Sequence, residues 1–142
     1  MSNLAFAIQK SSAAIVEGIA IEKIQQWYAA QGLRIHARYN EANGLTEKRG
    51  YDLIDSYGRR WEVKADRLAG TTGNFFLEHV ALEHSQADMF IIFACGQTFI
   101  VPRQTLLDAI SGPYRAVQGG DDFRATGTLL PLSELSLIAT IV

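Results

Sequence analysis

Residues 50–65 read Gly50-Tyr51-Asp52-Leu53-Ile54-Asp55-Ser56-Tyr57-Gly58-Arg59-Arg60-Trp61-Glu62-Val63-Lys64-Ala65. Two strand-like runs, Tyr51–Asp55 and Arg60–Ala65, flank Ser56-Tyr57-Gly58-Arg59, and that spacing predicts a β-hairpin turning at the glycine. In a strand, side chains two apart share a face. Glu62 and Lys64 therefore project together, while Trp61, Val63 and Ala65 project to the other side. Folding the first run back on the second brings Asp52 close to Glu62.

Two carboxylates at short range repel unless something neutralises them. A hard divalent cation such as Mg²⁺, with Mn²⁺ as its substitute, suits carboxylate and water oxygens. Beside such an ion, a lysine can orient a water molecule or stabilise charge on a phosphate in the transition state. These parts fit phosphodiester hydrolysis. The plain alternative is a structural Glu62–Lys64 ion pair on an amphipathic strand.

A predicted helix from Ser11 or Ser12 to about Gln31, with Gly32 as its stop, adds a second clue. On a helical wheel Val16, Ala20, Ile21, Ile24, Trp27 and Tyr28 form one apolar arc. Glu17 falls inside that arc, between Ile24 and Tyr28, whereas Glu22 lies opposite with Gly18, Gln25 and Gln26. A carboxylate on a core-facing stripe is costly unless it is paired or metal-linked.

Gly50-Tyr51-Asp52-Leu53 followed by Glu62-Val63-Lys64 resembles the signature of the PD-(D/E)XK nuclease superfamily, with Tyr51 in place of the proline. A helix carrying a glutamate ahead of the motif resembles the arrangement in Holliday junction resolvases and phage junction-resolving endonucleases. The match covers roughly residues 11–101. The resemblance implies a restriction-endonuclease-like fold and a Mg²⁺-dependent endonuclease acting on duplex or branched DNA. It implies that Asp52 and Glu62 bind metal, that Lys64 serves the attacking water, and that Glu17 assists the metal site. Members range from restriction enzymes to resolvases, exonucleases and repair nucleases, so the substrate does not transfer with the motif. A domain of this size meets DNA more easily as a homodimer, or within a larger DNA-processing complex. A catalytically silent nuclease-like fold used for binding or assembly is the competing reading.

Asp55 and Asp66 are rivals for metal binding, although hairpin register makes Asp55 a turn residue. The stretch from Gly70 to Asn74, rich in glycine and threonine, is placed to meet a phosphate backbone through main-chain amides. Arg49, Arg67, Thr72, Asn74 and His79 are the candidate nucleic-acid contacts. Glu78 or His79 is within reach of the site if residues 75–82 form a strand. His79 and His84, five apart with no third ligand, make a weak zinc signal. Tyr39, Tyr51, Tyr57 and Trp61 interleave with arginines and could stack on bases, though core packing suits Trp61 better.

The remaining elements frame the hairpin. A strand over Leu33–Tyr39 and a loop over Asn40–Gly50 precede it, and a polar stretch over Asp66–Asn74 comes after it. Asp88–Ala94 and Thr98–Val101 form a second hairpin through Cys95-Gly96-Gln97, leading into a helix that ends near Ile110. Gly112, Pro113, Gly119 and Gly120 break up the chain beyond that helix. The apolar segment Leu129–Val142 packs on the core with a helical turn near Ser133–Leu137. This order predicts an α/β fold: a mixed central sheet flanked by helices, in one domain over residues 1–142.

Of the 142 residues, 48% are hydrophobic and 20% charged, a globular rather than disordered composition. Cys95, the one cysteine, excludes an intramolecular disulfide and any cysteine-based zinc cluster, and its apolar surroundings predict an inert core thiol. No apolar stretch of about 18 residues is present, so no membrane span is expected. No secretory signal is evident either, and a cytoplasmic location is the expectation. The net charge of −2 argues against a broad electrostatic clamp on nucleic acid. Eight of the 13 basic residues nevertheless fall between Arg34 and Arg67, enough for a local basic surface.

Overall fold

The computed structural model describes residues 13–34, 37–39, 51–66, 68–114, 116–119 and 125–142. Helix α1 spans Ala13–Ala29. Strands β1 (Ala37–Tyr39), β2 (Leu53–Asp55) and β3 (Arg60–Asp66) come next in the chain. A single turn α2 (Ala69–Thr72) leads to β4 (Asn74–Glu78) and α3 (His79–His84). Beyond these lie β5 (Met89–Ala94), β6 (Gln97–Pro102) and α4 (Arg103–Ile110). β7 (Ala116–Gly119), β8 (Ala125–Pro131), α5 (Leu132–Ile138) and β9 (Thr140–Ile141) complete the described elements.

Six strands form one sheet in the order β1-β2-β3-β5-β6-β9. Its β3–β5 pair is parallel and its other pairs antiparallel, which makes it the mixed sheet expected. The expected hairpin forms, with Leu53 opposite Trp61, and Gly58 takes a left-handed φ of 82° in its turn. β5 is buried along its whole length, as a central strand covered on both faces must be. On one face Met89, Ile91 and Phe93 join Leu53 and Trp61 under the α1 stripe of Val16, Ala20, Ile24 and Tyr28. On the other, Phe90, Ile92 and Ala94 pack with Leu82, Leu106, Leu130 and Leu135. No helix of the described residues is long and apolar enough to cross a membrane.

Three features depart from the sequence reading. β4, β8 and β7 form a separate three-stranded antiparallel sheet, where only scattered breakers and an apolar tail were expected. The strand read over Phe75–Leu82 stops at Glu78, and α3 takes its end, where a helical turn was the alternative reading. The β5–β6 turn needs only Cys95 and Gly96, both at positive φ (51° and 73°), so the strands pair out to Ala94 and Gln97. That turn puts Cys95 at the surface and not in the core. The apolar run ends one residue earlier than the composition implies. The expected loop over residues 40–50 lies outside the described residues.

One buried charge ties α1 to the β2–β3 hairpin. Asp55 is fully buried. Its Oδ1 accepts from the backbone amides of Tyr57 (2.9 Å) and Arg59 (3.0 Å), as a turn residue would. Its Oδ2 accepts from the Tyr28 hydroxyl at 2.5 Å and from Trp61 Nε1 at 2.9 Å. Burial, reinforced by the hydrogen bond to Asp55, pushes the Tyr28 hydroxyl up to about 12. Arg59 lies over the rings of Trp27 and Tyr28 and donates to the Tyr28 oxygen at 3.2 Å. Truncating the carboxylate leaves four donors unsatisfied, two of them buried side-chain groups. Asp55→Ala is therefore expected to lower stability by about 3–5 kcal/mol in urea unfolding. A loss under about 1 kcal/mol would contradict this role for Asp55.

Candidate active site

The hairpin closes as its spacing predicts, and Asp52 meets Glu62. The Asp52 amide donates to the Trp61 carbonyl (2.9 Å), extending the β2–β3 ladder by one bond. Asp52 Oδ2 accepts from the Val63 amide at 2.8 Å, which fixes its carboxylate over the middle of β3. The Glu62 side chain is hydrogen-bonded to it. Lys64 Nζ lies 3.8 Å from Glu62 Oε1, with the lysine side chain 40% exposed and that of Glu62 17% exposed. From the end of α3, the Ser85 hydroxyl donates to Glu62 Oε2 at 3.4 Å.

Two carboxylates in hydrogen-bond contact must share a proton or a cation. The electrostatics of Glu62 express this. Burial, then the Asp52 charge and hydrogen bond, raise its carboxyl to about 7 against the opposing pull of Lys64 and Ser85. Glu17 sits half-buried on α1, and its carboxyl is also raised, first by burial and then by the charge of Asp52. Glu17, on the apolar arc, thus lies within electrostatic reach of Asp52. Among the described residues, however, no three His, Cys, Asp or Glu side chains gather tightly enough to hold a metal ion between them.

The donor set can still be tested against Mg²⁺, which is bound in many sites by one or two carboxylates, with water and substrate phosphates completing the octahedron. Asp52 and Glu62 supply such a pair, partly exposed, with Lys64 at the longer edge of ion-pair range of Glu62. The residues fit a two-carboxylate site and do not by themselves form a three-carboxylate cage.

The other candidates separate by what they touch. Asp66 caps α2, its Oδ1 accepting from Leu68 N (2.9 Å) and Ala69 N (3.0 Å) and its Oδ2 from Phe76 N (3.1 Å). Like Asp55, it is occupied by protein donors. Thr72 and Asn74 are tied to each other across the turn after α2, the Asn74 amide donating to Thr72 Oγ1 (3.2 Å) and Asn74 Nδ2 to the Thr72 carbonyl (3.1 Å). That stretch is a helical turn followed by a strand, and not the open loop the sequence reading expects. His79 Nε2 is 2.7 Å from Thr128 Oγ1 on β8, and His84 lies at the far end of α3. Trp61 is fully buried and Tyr51 nearly so, which removes both as base-stacking surfaces, while Tyr57 stays exposed.

Arg49 and Arg67 lie outside the described residues. Two of the arginines counted toward a basic surface do structural work: Arg59 at the Asp55 clamp, and Arg60 through its 3.3 Å pair with Asp88. Ser85 was not singled out by sequence. A serine after a short helix is common, and only the tertiary fold brings it to Glu62. No family model matches the chain, and no curated protein matches it either.

Because folded Glu62 holds its proton more tightly than an ordinary glutamate, its contribution to stability is fully present below about pH 4.5. That contribution is lost as pH rises through about 7. Glu62→Gln removes the titration. In metal-free urea unfolding, the variant is expected to gain on the wild type by roughly 1–3 kcal/mol between about pH 5 and pH 8. A difference that stays constant across that range would count against a shared proton.

Proposed function

We propose that this chain is a divalent-metal-dependent nuclease of the restriction-endonuclease-like kind, hydrolysing phosphodiester bonds in DNA. The carrying observation is the Asp52 carboxylate, held on the Val63 amide, beside a Glu62 carboxylate that lies 3.8 Å from the partly exposed Lys64 ammonium. The resemblance of Asp52, Glu62-Val63-Lys64 and the helix-borne Glu17 to the PD-(D/E)XK pattern supports the same reading.

Asp52 and Glu62 hold the ion, Mg²⁺ in this proposal, and Glu17 adds negative charge nearby. When bound, the ion supplies charge neutralisation at a phosphate oxygen and makes a water molecule more acidic. Lys64 is exposed enough to reach substrate and orients the attacking water or balances charge building on the phosphate. The Val63 amide and the Ser85 hydroxyl hold the two carboxylates in place. Junction specificity belongs to the proposal as an expectation from the resemblance, a homodimer as one from the small size of the domain, and a cytoplasmic setting as one from the sequence alone.

A second reading has its own observation. The near-neutral charge, the structural use of Arg59 and Arg60, and the two-carboxylate rather than three-carboxylate grouping among the described residues favour a binding or assembly module with this fold.

One assay separates the two: incubation of linear, nicked and four-way-junction DNA with Mg²⁺ or Mn²⁺. The nuclease reading expects cleavage, lost by at least about 100-fold in Glu62→Ala and in Lys64→Met. Binding without hydrolysis favours the module. A Glu62→Ala protein as active as the wild type would sink the nuclease mechanism.

A further inference from the structure

A cavity of about 650 Å³ opens between the two sheets and is bounded at one side by Lys64. Its size falls within the roughly 300–1,000 Å³ of small-molecule sites. Its walls are mostly apolar, from Leu68, Phe76 and Leu82, with Asn74, Glu78 and Gln118 supplying polar groups. Phe76 is held rigidly. A Cβ on Gly127 would collide with its ring and one on Gly119 would lie 2.8 Å away, so the ring rests on two bare backbone positions of β8 and β7. Glycine at both is what permits that approach.

Resting on the nuclease reading, we propose that this cavity receives one unstacked nucleobase of the substrate strand, on the nucleotide whose phosphate meets Lys64. Lys64 in its wall offers a cation for the phosphate, Asp66 and Glu78 are the acids that share the lining, and Phe75, Phe76 and Phe90 give it an aromatic character suited to a base. Every base offers a π-face to a fixed ring and hydrogen-bonding groups at its edge. Asn74, Glu78 and Gln118 are polar groups in the lining, with the amide nitrogens of Asn74 and Gln118 donating to the Thr72 carbonyl and the Thr126 hydroxyl and their amide oxygens and the Glu78 carboxylate left to meet a base edge. Extracting a base from a duplex costs a few kcal/mol, and the cost is least where the nucleotide is already single-stranded or mispaired. The substrate class is therefore nucleic acid with an unpaired nucleotide beside the cut, as in a single strand, flap, gap or branch point.

The test measures binding without cleavage. Glu62→Gln protein is titrated into a fluorescent short single-stranded DNA and into an abasic strand of the same length and charge. The intact strand is expected to bind at least about tenfold more tightly. Adding Phe76→Ala, which removes the platform, or Ala81→Phe, which fills the cavity from α3, is expected to erase that preference. Equal binding of the two strands overturns the proposal, as does no binding to the intact strand or a preference that survives both substitutions. Wild-type cleavage is scored separately. Base preference without cleavage retires the nuclease and keeps the cavity assignment, while cleavage without base preference does the reverse.

Discussion

The fully buried carboxylate of Asp55 is the constraint on which the arrangement depends. An ionised group in an apolar interior is stable only when its oxygens are filled with donors. Here the donors come from three places at once: the turn amides, the indole of β3 and the phenol of α1. One residue therefore sets the turn, the register of the hairpin and the seat of the helix. That seat brings the carboxylates together. The register places Leu53 opposite Trp61, so Asp52 can accept from the Val63 amide while Glu62 turns to the same side. The helix seat puts Glu17 where it feels the Asp52 charge.

The two acid clusters of the hairpin thus solve opposite problems. Asp55 is satisfied by protein donors and has no lone pair to offer a ligand without loss of the fold. Among the described residues, Asp52 and Glu62 are met by one backbone amide, one long serine contact and one long lysine contact. Such a pair holds a proton when alone and releases it to a cation, so proton and metal compete for the same oxygens. Lys64 softens the repulsion without ending it, since at 3.8 Å and 40% exposure its charge is partly screened by water.

The parts of the fold carried by short-range patterns could be read from sequence. Strand alternation gave Glu62 and Lys64 a common side, a central Gly58 marked the turn, and the helical wheel singled out Glu17 from Glu22. Features decided by tertiary packing could not. The second sheet was hidden because β7 alternates only between exposed and half-buried positions, which is too weak a pattern to mark a strand. Asp55 read as a turn residue, which it is, but its bonds to Tyr28 and Trp61 span 27 and 6 residues and leave no local trace. Ser85 reaches Glu62 across 23 residues for the same reason. Cys95 misled because an apolar run was carried one residue into a turn that demands positive φ.

In the proposed nuclease site, a divalent ion displaces the proton that burial and the neighbouring Asp52 hold on Glu62. Carbon-detected NMR titration of the Glu62 carboxyl in the intact chain, with and without Mg²⁺, tests it most directly. The expected metal-free midpoint is near 7, driven by burial and the neighbouring Asp52, and falls well below that when Mg²⁺ is added. A Glu62 carboxyl that titrates in the ordinary glutamate range and does not respond to Mg²⁺ would contradict it.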